Sequence, residues 1–69
     1  MKKWSEKLIE LSEEYLNYSG CCVKSLSGDF GILIIDYENT IYTINIFNSN
    51  KTLIFNSVKD IIDSGWAVD

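Results

Sequence analysis

Carboxylates are the reactive groups this chain supplies in quantity. Its 69 residues hold ten Asp and Glu against six basic residues, every one of them Lys, and no His. Without His and Arg, the commonest general base and oxyanion clamp are missing. The Ser and Cys residues have no visible base to activate them as nucleophiles. Asp36 and Glu38 lie two apart at the end of a predicted strand and come nearest to a paired-carboxylate site, yet so small a chain offers no evident cleft around them. Gly-rich phosphate loops and EF-hand spacing are absent. Two Cys without His cannot close a zinc site. Cys21 and Cys22 are neighbours, so a strand points them to opposite faces. A disulfide between them would be strained and would staple nothing distant. They read as small apolar fillers. The expectation is a protein that is not an enzyme and needs no cofactor or metal.

The carboxylates have another use. Glu6, Glu10, Glu13 and Glu14 fall on a predicted N-terminal helix, and Asp36 and Glu38 at a predicted hairpin. The net charge is −4. Lys alone lacks the planar fork that reads phosphate or guanine bidentately, so direct nucleic-acid binding is not expected. An acidic balance favours solubility or a basic partner, and carboxylates spaced on a small rigid body can compete with phosphates for a basic groove. The longest wholly apolar run, Ile32 to Ile35, is far too short to cross a bilayer. Lys2 and Lys3 precede an amphipathic stretch rather than the apolar core of a signal peptide, so cytoplasmic residence is expected.

One domain, residues 1–69, must position these groups. Trp4, Leu8, Leu11, Tyr15 and Tyr18 recur at helical spacing and predict a helix from residue 3 to about 17, with Ile9 and Leu16 widening the stripe on one side. Glu6, Glu10 and Glu13 share the opposite face with Lys2. Glu13 and Glu14 near the end run against the helix dipole, a cost of a few tenths of a kcal/mol each. Gly20 is the predicted left-handed stop. Four strands follow: Cys21–Leu26, Phe30–Tyr37, Thr40–Phe47 and Thr52–Asn56. Every connection is too short for a parallel crossover, so they form an antiparallel meander. With Glu38-Asn39 as a hairpin loop, Ile35 opposes Tyr42 and Leu33 opposes Ile44. If Phe47 opposes Thr52, one face carries Leu33, Ile35, Tyr37, Tyr42, Ile44, Ile46, Leu53 and Phe55, which is the expected core. A loop from Ser27 to Asp29 turns Val23 inward and Lys24 outward. Ser57-Val58-Lys59-Asp60 matches a capping box and starts a short helix. Gly65 stops it, and Trp66 packs back on Ile61. The fold class is α+β, in the order α-β-β-β-β-α.

The remaining face carries Ile32, Ile34, Ile41 and Phe47 among Asp36, Thr43 and Asn45. An open antiparallel sheet is normally polar on that side, so contiguous apolar residues there point to an interface. The bland alternative is that the C-terminal segment folds over it.

The words Val23-Lys24-Ser25-Leu26-Ser27-Gly28, Leu33-Ile34-Ile35, Ile41-Tyr42-Thr43-Ile44 and Val58…Ile61-Ile62…Gly65-Trp66 are similar to small phage-encoded type II anti-CRISPR proteins. The resemblance spans about residues 8–66. It implies a helix, a three-stranded antiparallel sheet and a helix ending in Gly-Trp. It also implies a DNA mimic whose acidic residues occupy the arginine-lined groove with which an RNA-guided nuclease reads the duplex beside its target. Glu38 and Asn39 at the hairpin tip, with Asp36 nearby, are the matching positions. The expected function is a small acidic inhibitor from a phage or mobile element, acting in the host cell on a basic nucleic-acid enzyme. The alternatives are a homodimeric structural module using the outer sheet face, and a toxin-immunity protein.

Overall fold

The computed structural model describes residues 4–69. Helix α1 (Glu6–Tyr15) leads into strands β1 (Cys21–Ser25), β2 (Phe30–Asp36), β3 (Ile41–Ile46) and β4 (Thr52–Phe55), then α2 (Val58–Asp63) and a further strand, β5 (Trp66–Val68). The strands form one antiparallel sheet in the order β4-β3-β2-β1-β5. The expected α+β architecture is present, with a fifth strand added. Gly65 stops α2 as predicted, with a positive φ of 93°. The chain beyond it does not cross the outer face. It runs back along the open edge of β1, where Leu26 N–H donates to Gly65 O and Asp69 N–H to Cys22 O. Trp66 is thereby carried into the core beside Ile61.

Local chemistry sets the ends of α1. Ser5 Oγ accepts the Leu8 N–H at 3.2 Å as N-cap, and Asn17 Nδ2 donates to the Glu13 and Glu14 carbonyls at the other end. The helix is shorter than its periodicity predicts, and Lys2 and Lys3 lie outside the described residues. Its buried side is also rotated from the expected stripe. Ser12 and Leu16 are fully buried, whereas Leu11, Tyr15 and Tyr18 are exposed. The cause is a polar need of β5. Ser12 Oγ accepts the Val68 N–H at 3.0 Å, which draws the Ser12 side of the helix onto the sheet edge.

The β2–β3 register agrees with expectation, Ile35 opposing Tyr42 and Leu33 opposing Ile44. Tyr37 is the exception. It leaves the ladder for the turn and is 63% exposed, and its hydroxyl donates to Asn17 O and accepts from Ser19 N–H. The other two registers are shifted by two residues. Asn45, not Phe47, opposes Thr52, because the turn begins one residue earlier and Ile46 N–H closes it on Lys51 O. Lys24 opposes Phe30, because Ser25 N–H closes the β1–β2 turn on Asp29 O. An even shift keeps every side chain on its face. Leu33 and Ile44 still form the core with Val23, Ile35, Leu16, Ile61 and Trp66.

Gly31, unremarked in the sequence, is required by a close approach. A Cβ there would stand 2.7 Å from the Asn45 carbonyl oxygen, inside any tolerable contact.

Candidate protein-binding surface

Alternation along the strands decides which side chains leave the core, and the observed registers place them in rows across the outer face. Ile34, Thr43 and Ile54 make one row, Cys22, Ile32, Asn45 and Thr52 the next, and Asp36 stands opposite Ile41. Lys24 opposes Phe30 at the far end. Ile34 is 44% exposed, Phe30 and Phe47 50% each, and Ile54 69%. Ile41 is exposed as well, and Ile32, in the middle, is half-buried. Leu16 and Ile61 enter the inner core and α1 lies against β5 and α2, so among the described residues nothing covers this patch over β2, β3 and β4. At the β1 end, Trp4 stacks with Lys24, whose Nζ lies 5.7 Å from the ring centre and 3.9 Å from an Asp69 carboxylate oxygen.

Two members of the patch were missed in the sequence. Phe30 begins the same i, i+2, i+4 series as Ile32 and Ile34. Ile54 sits between two inward residues, Leu53 and Phe55, and must point out. The signal in both cases was the period of two already used for the core. Cys22 was also misread. Cys21 does half-bury on the inner side, where loss of water and then the neighbouring Cys22 push its thiol above the ordinary range. Cys22 is exposed on the outer face, as alternation requires, and fills no core space.

The hairpin beside Ile41 is built around Asp36. One carboxylate oxygen accepts the Glu38 and Asn39 N–H groups at 3.2 and 3.3 Å, and the other accepts Asn39 Nδ2 at 2.9 Å. These bonds stabilise the charged form, and the Asn39 side chain does most to hold the carboxyl below the usual Asp range. The Asp36 and Asn39 side chains therefore serve the turn first. The Glu38 carboxylate is exposed and engaged by no hydrogen bond among the described residues.

The expected acidic residues fall on two elements. Asp36 and Glu38 border the apolar face. Glu6, Glu10, Glu13 and Glu14 are exposed on α1, which lies against β5 and α2. Elsewhere, Ser25, Ser27 and Asp29 form a hydrogen-bonded chain that closes the β1–β2 turn. No cluster of metal-ligating side chains occurs among the described residues, and no helix there is long and apolar enough to cross a membrane. No protein-family model, curated protein or solved structure matches this chain.

Proposed function

We propose that this is a non-enzymatic binding domain that seats its outer sheet face on another protein, and that its partner is a basic nucleic-acid enzyme which it inhibits. The observation that carries the reading is the uncovered apolar face itself. Phe30, Ile34, Ile41, Phe47 and Ile54 are all exposed on one side of one sheet. Water contact with such a patch is unfavourable by ~25 cal/mol per Å² of apolar surface, a cost that docking removes. The partner class rests on charge. The protein carries −4 overall, and Glu38 and Asp36 stand at the rim of the patch, where a cationic groove would meet them. The same class is what a resemblance to anti-CRISPR proteins, with Glu38, Asn39 and Asp36 at its matching positions, would imply. The exposed α1 carboxylates would add to the field that steers the encounter.

The test is DNA cleavage by a type II RNA-guided nuclease loaded with its guide, titrated with this protein. The wild-type chain is expected to slow cleavage, less so as salt rises. Ile34→Lys should weaken inhibition about tenfold or more, as loss of a central contact does, and Glu38→Lys, a rim change, should weaken it less and flatten its salt dependence. Absence of inhibition at protein in large excess over nuclease would overturn the assigned partner. Equal potency of Ile34→Lys and wild type would overturn the assigned face.

A further inference from the structure

The two outer edges of the sheet are treated differently. Along β5, the outward Val68 N–H is closed by Ser12 Oγ. Along β4, the ladder to β3 fixes which backbone groups face out. Ile46 N–H donates to Lys51 O, so Leu53 and Phe55 turn their N–H and C=O toward β3, while Thr52 and Ile54 turn theirs away. Those outward groups meet no hydrogen-bond partner among the described residues. The strand is short, four residues, but other protections of an edge are missing. The chain has no Pro, and Thr52-Leu53-Ile54-Phe55 carries no charge and no bulge.

We propose that the β4 edge is a self-association site, pairing antiparallel with β4 of a second copy about a two-fold axis at Ile54. The sequence around that point is self-complementary. Ile54 faces Ile54 of the second copy, Leu53 faces Phe55, Thr52 faces Asn56, and Lys51 faces Ser57, so polar meets polar, apolar meets apolar, and no like charges oppose. The outward direction of the Ile54 N–H and C=O makes the central pair a hydrogen-bonded one. The side chain most exposed among the large apolar residues, Ile54 at 69%, lands on the axis against its own copy. The open flanks of Leu53 and Phe55, both half-buried, are covered from the side, and the outer apolar patch becomes continuous across two molecules. Pairing one short strand buries little, at or below the ~1,200 Å² lower bound of standard interfaces, so the dimer is weak and dissociates on dilution.

Sedimentation equilibrium of the full chain between about 10 µM and 1 mM, a range that spans weak interfaces of this size, tests it. The mass is expected to rise toward twice the monomer, with amide exchange at Thr52 and Ile54 slowing as concentration rises. Ile54→Lys puts two ammonium groups side by side at the axis and should hold the mass at the monomer while leaving the circular dichroism melt unchanged. Ile34→Lys, on the same face but one strand further in than β3, should still dimerise. A wild-type chain that stays monomeric over the whole range overturns the proposal. So does a dimer that Ile34→Lys abolishes and Ile54→Lys leaves intact, because the open face rather than the edge would then hold it.

Discussion

Leu33 and Ile34 are consecutive in β2, both aliphatic and similar in size, yet Leu33 is fully buried and Ile34 is 44% exposed. The difference lies in what covers each face. The inner face is closed by Leu16 at the end of α1, Ile61 of α2 and Trp66 of β5. The outer face has equivalent aliphatic residues on β2 and, among the described residues, nothing over them but Trp4 and Lys24 at one end. Both described helices send a side chain, Leu16 and Ile61, into the inner core and none onto this patch. Apolar residues on the other side lend the fold little, and that is why a binding role is the economical account of them.

Mutation should separate the two faces sharply. Leu33→Ala is expected to cost about 2–5 kcal/mol, the range for truncating a fully buried aliphatic side chain. Ile34→Ala should stay within about 1 kcal/mol, as surface changes do. Urea denaturation midpoints at constant slope would report both, and equal losses would mean that the outer face is covered in solution. The contrast between sheet edges comes next in size. Ser12→Ala leaves the Val68 N–H without its acceptor and should cost about 1–3 kcal/mol. Amide exchange should then accelerate at Val68 while Leu33 and Ile44 stay protected. If Val68 remains as slow as before, Ser12 is not what closes that edge.

The smallest effect belongs to the hairpin beside the patch. Asp36 has a lowered folded pKa, so its turn bonds contribute stability above the ordinary Asp value of about 3.9. That contribution is lost as pH falls through the lowered folded value. Asp36→Ala should flatten this part of the pH–stability curve and mobilise Glu38 and Asn39. Carboxyl chemical shifts followed through an acid titration would check it, and an Asp36 midpoint at or above the ordinary value would mean that the turn bonds are not formed in solution.

Much of this was legible along the chain because it depends on local periodicity. Alternation assigned Leu33, Ile35, Ile44 and Ile46 to one face and Ile32, Ile34 and Ile41 to the other. It survived two register errors because both were shifts by an even number of residues. Turn chemistry at Gly65 and Ser57 was equally local, and both act as expected. Gly20 takes a positive φ of 88° but lies past the end of α1, which falls at its Leu16 cap, so it turns the chain into β1 instead of stopping the helix. What failed depended on partners far away in sequence. Tyr37 fits the inner series by position, but its hydroxyl is taken by Asn17 and Ser19. The buried side of α1 turns on Ser12 meeting Val68, a pairing 56 residues apart. Gly31 looks like any strand glycine until the Asn45 carbonyl is seen beside its α-carbon.

The carboxylates divide along the same line. Their abundance, and the absence of Arg and His, are properties of composition, and so is the acidic field that favours a basic partner. Their grouping is not. Only packing could set the α1 glutamates against β5 and α2 and the Asp36 hairpin beside the apolar patch, because the face a helix covers is settled by distant contacts rather than by its own period. Local periodicity is enough for an α+β meander with an apolar side to spare. Long-range packing makes the C-terminal residues extend the sheet as β5 instead of covering that side. Trp66 gains more by entering the shared core with Ile61 than it could by lying on an open face, and the strand that carries it finds its backbone partners along β1.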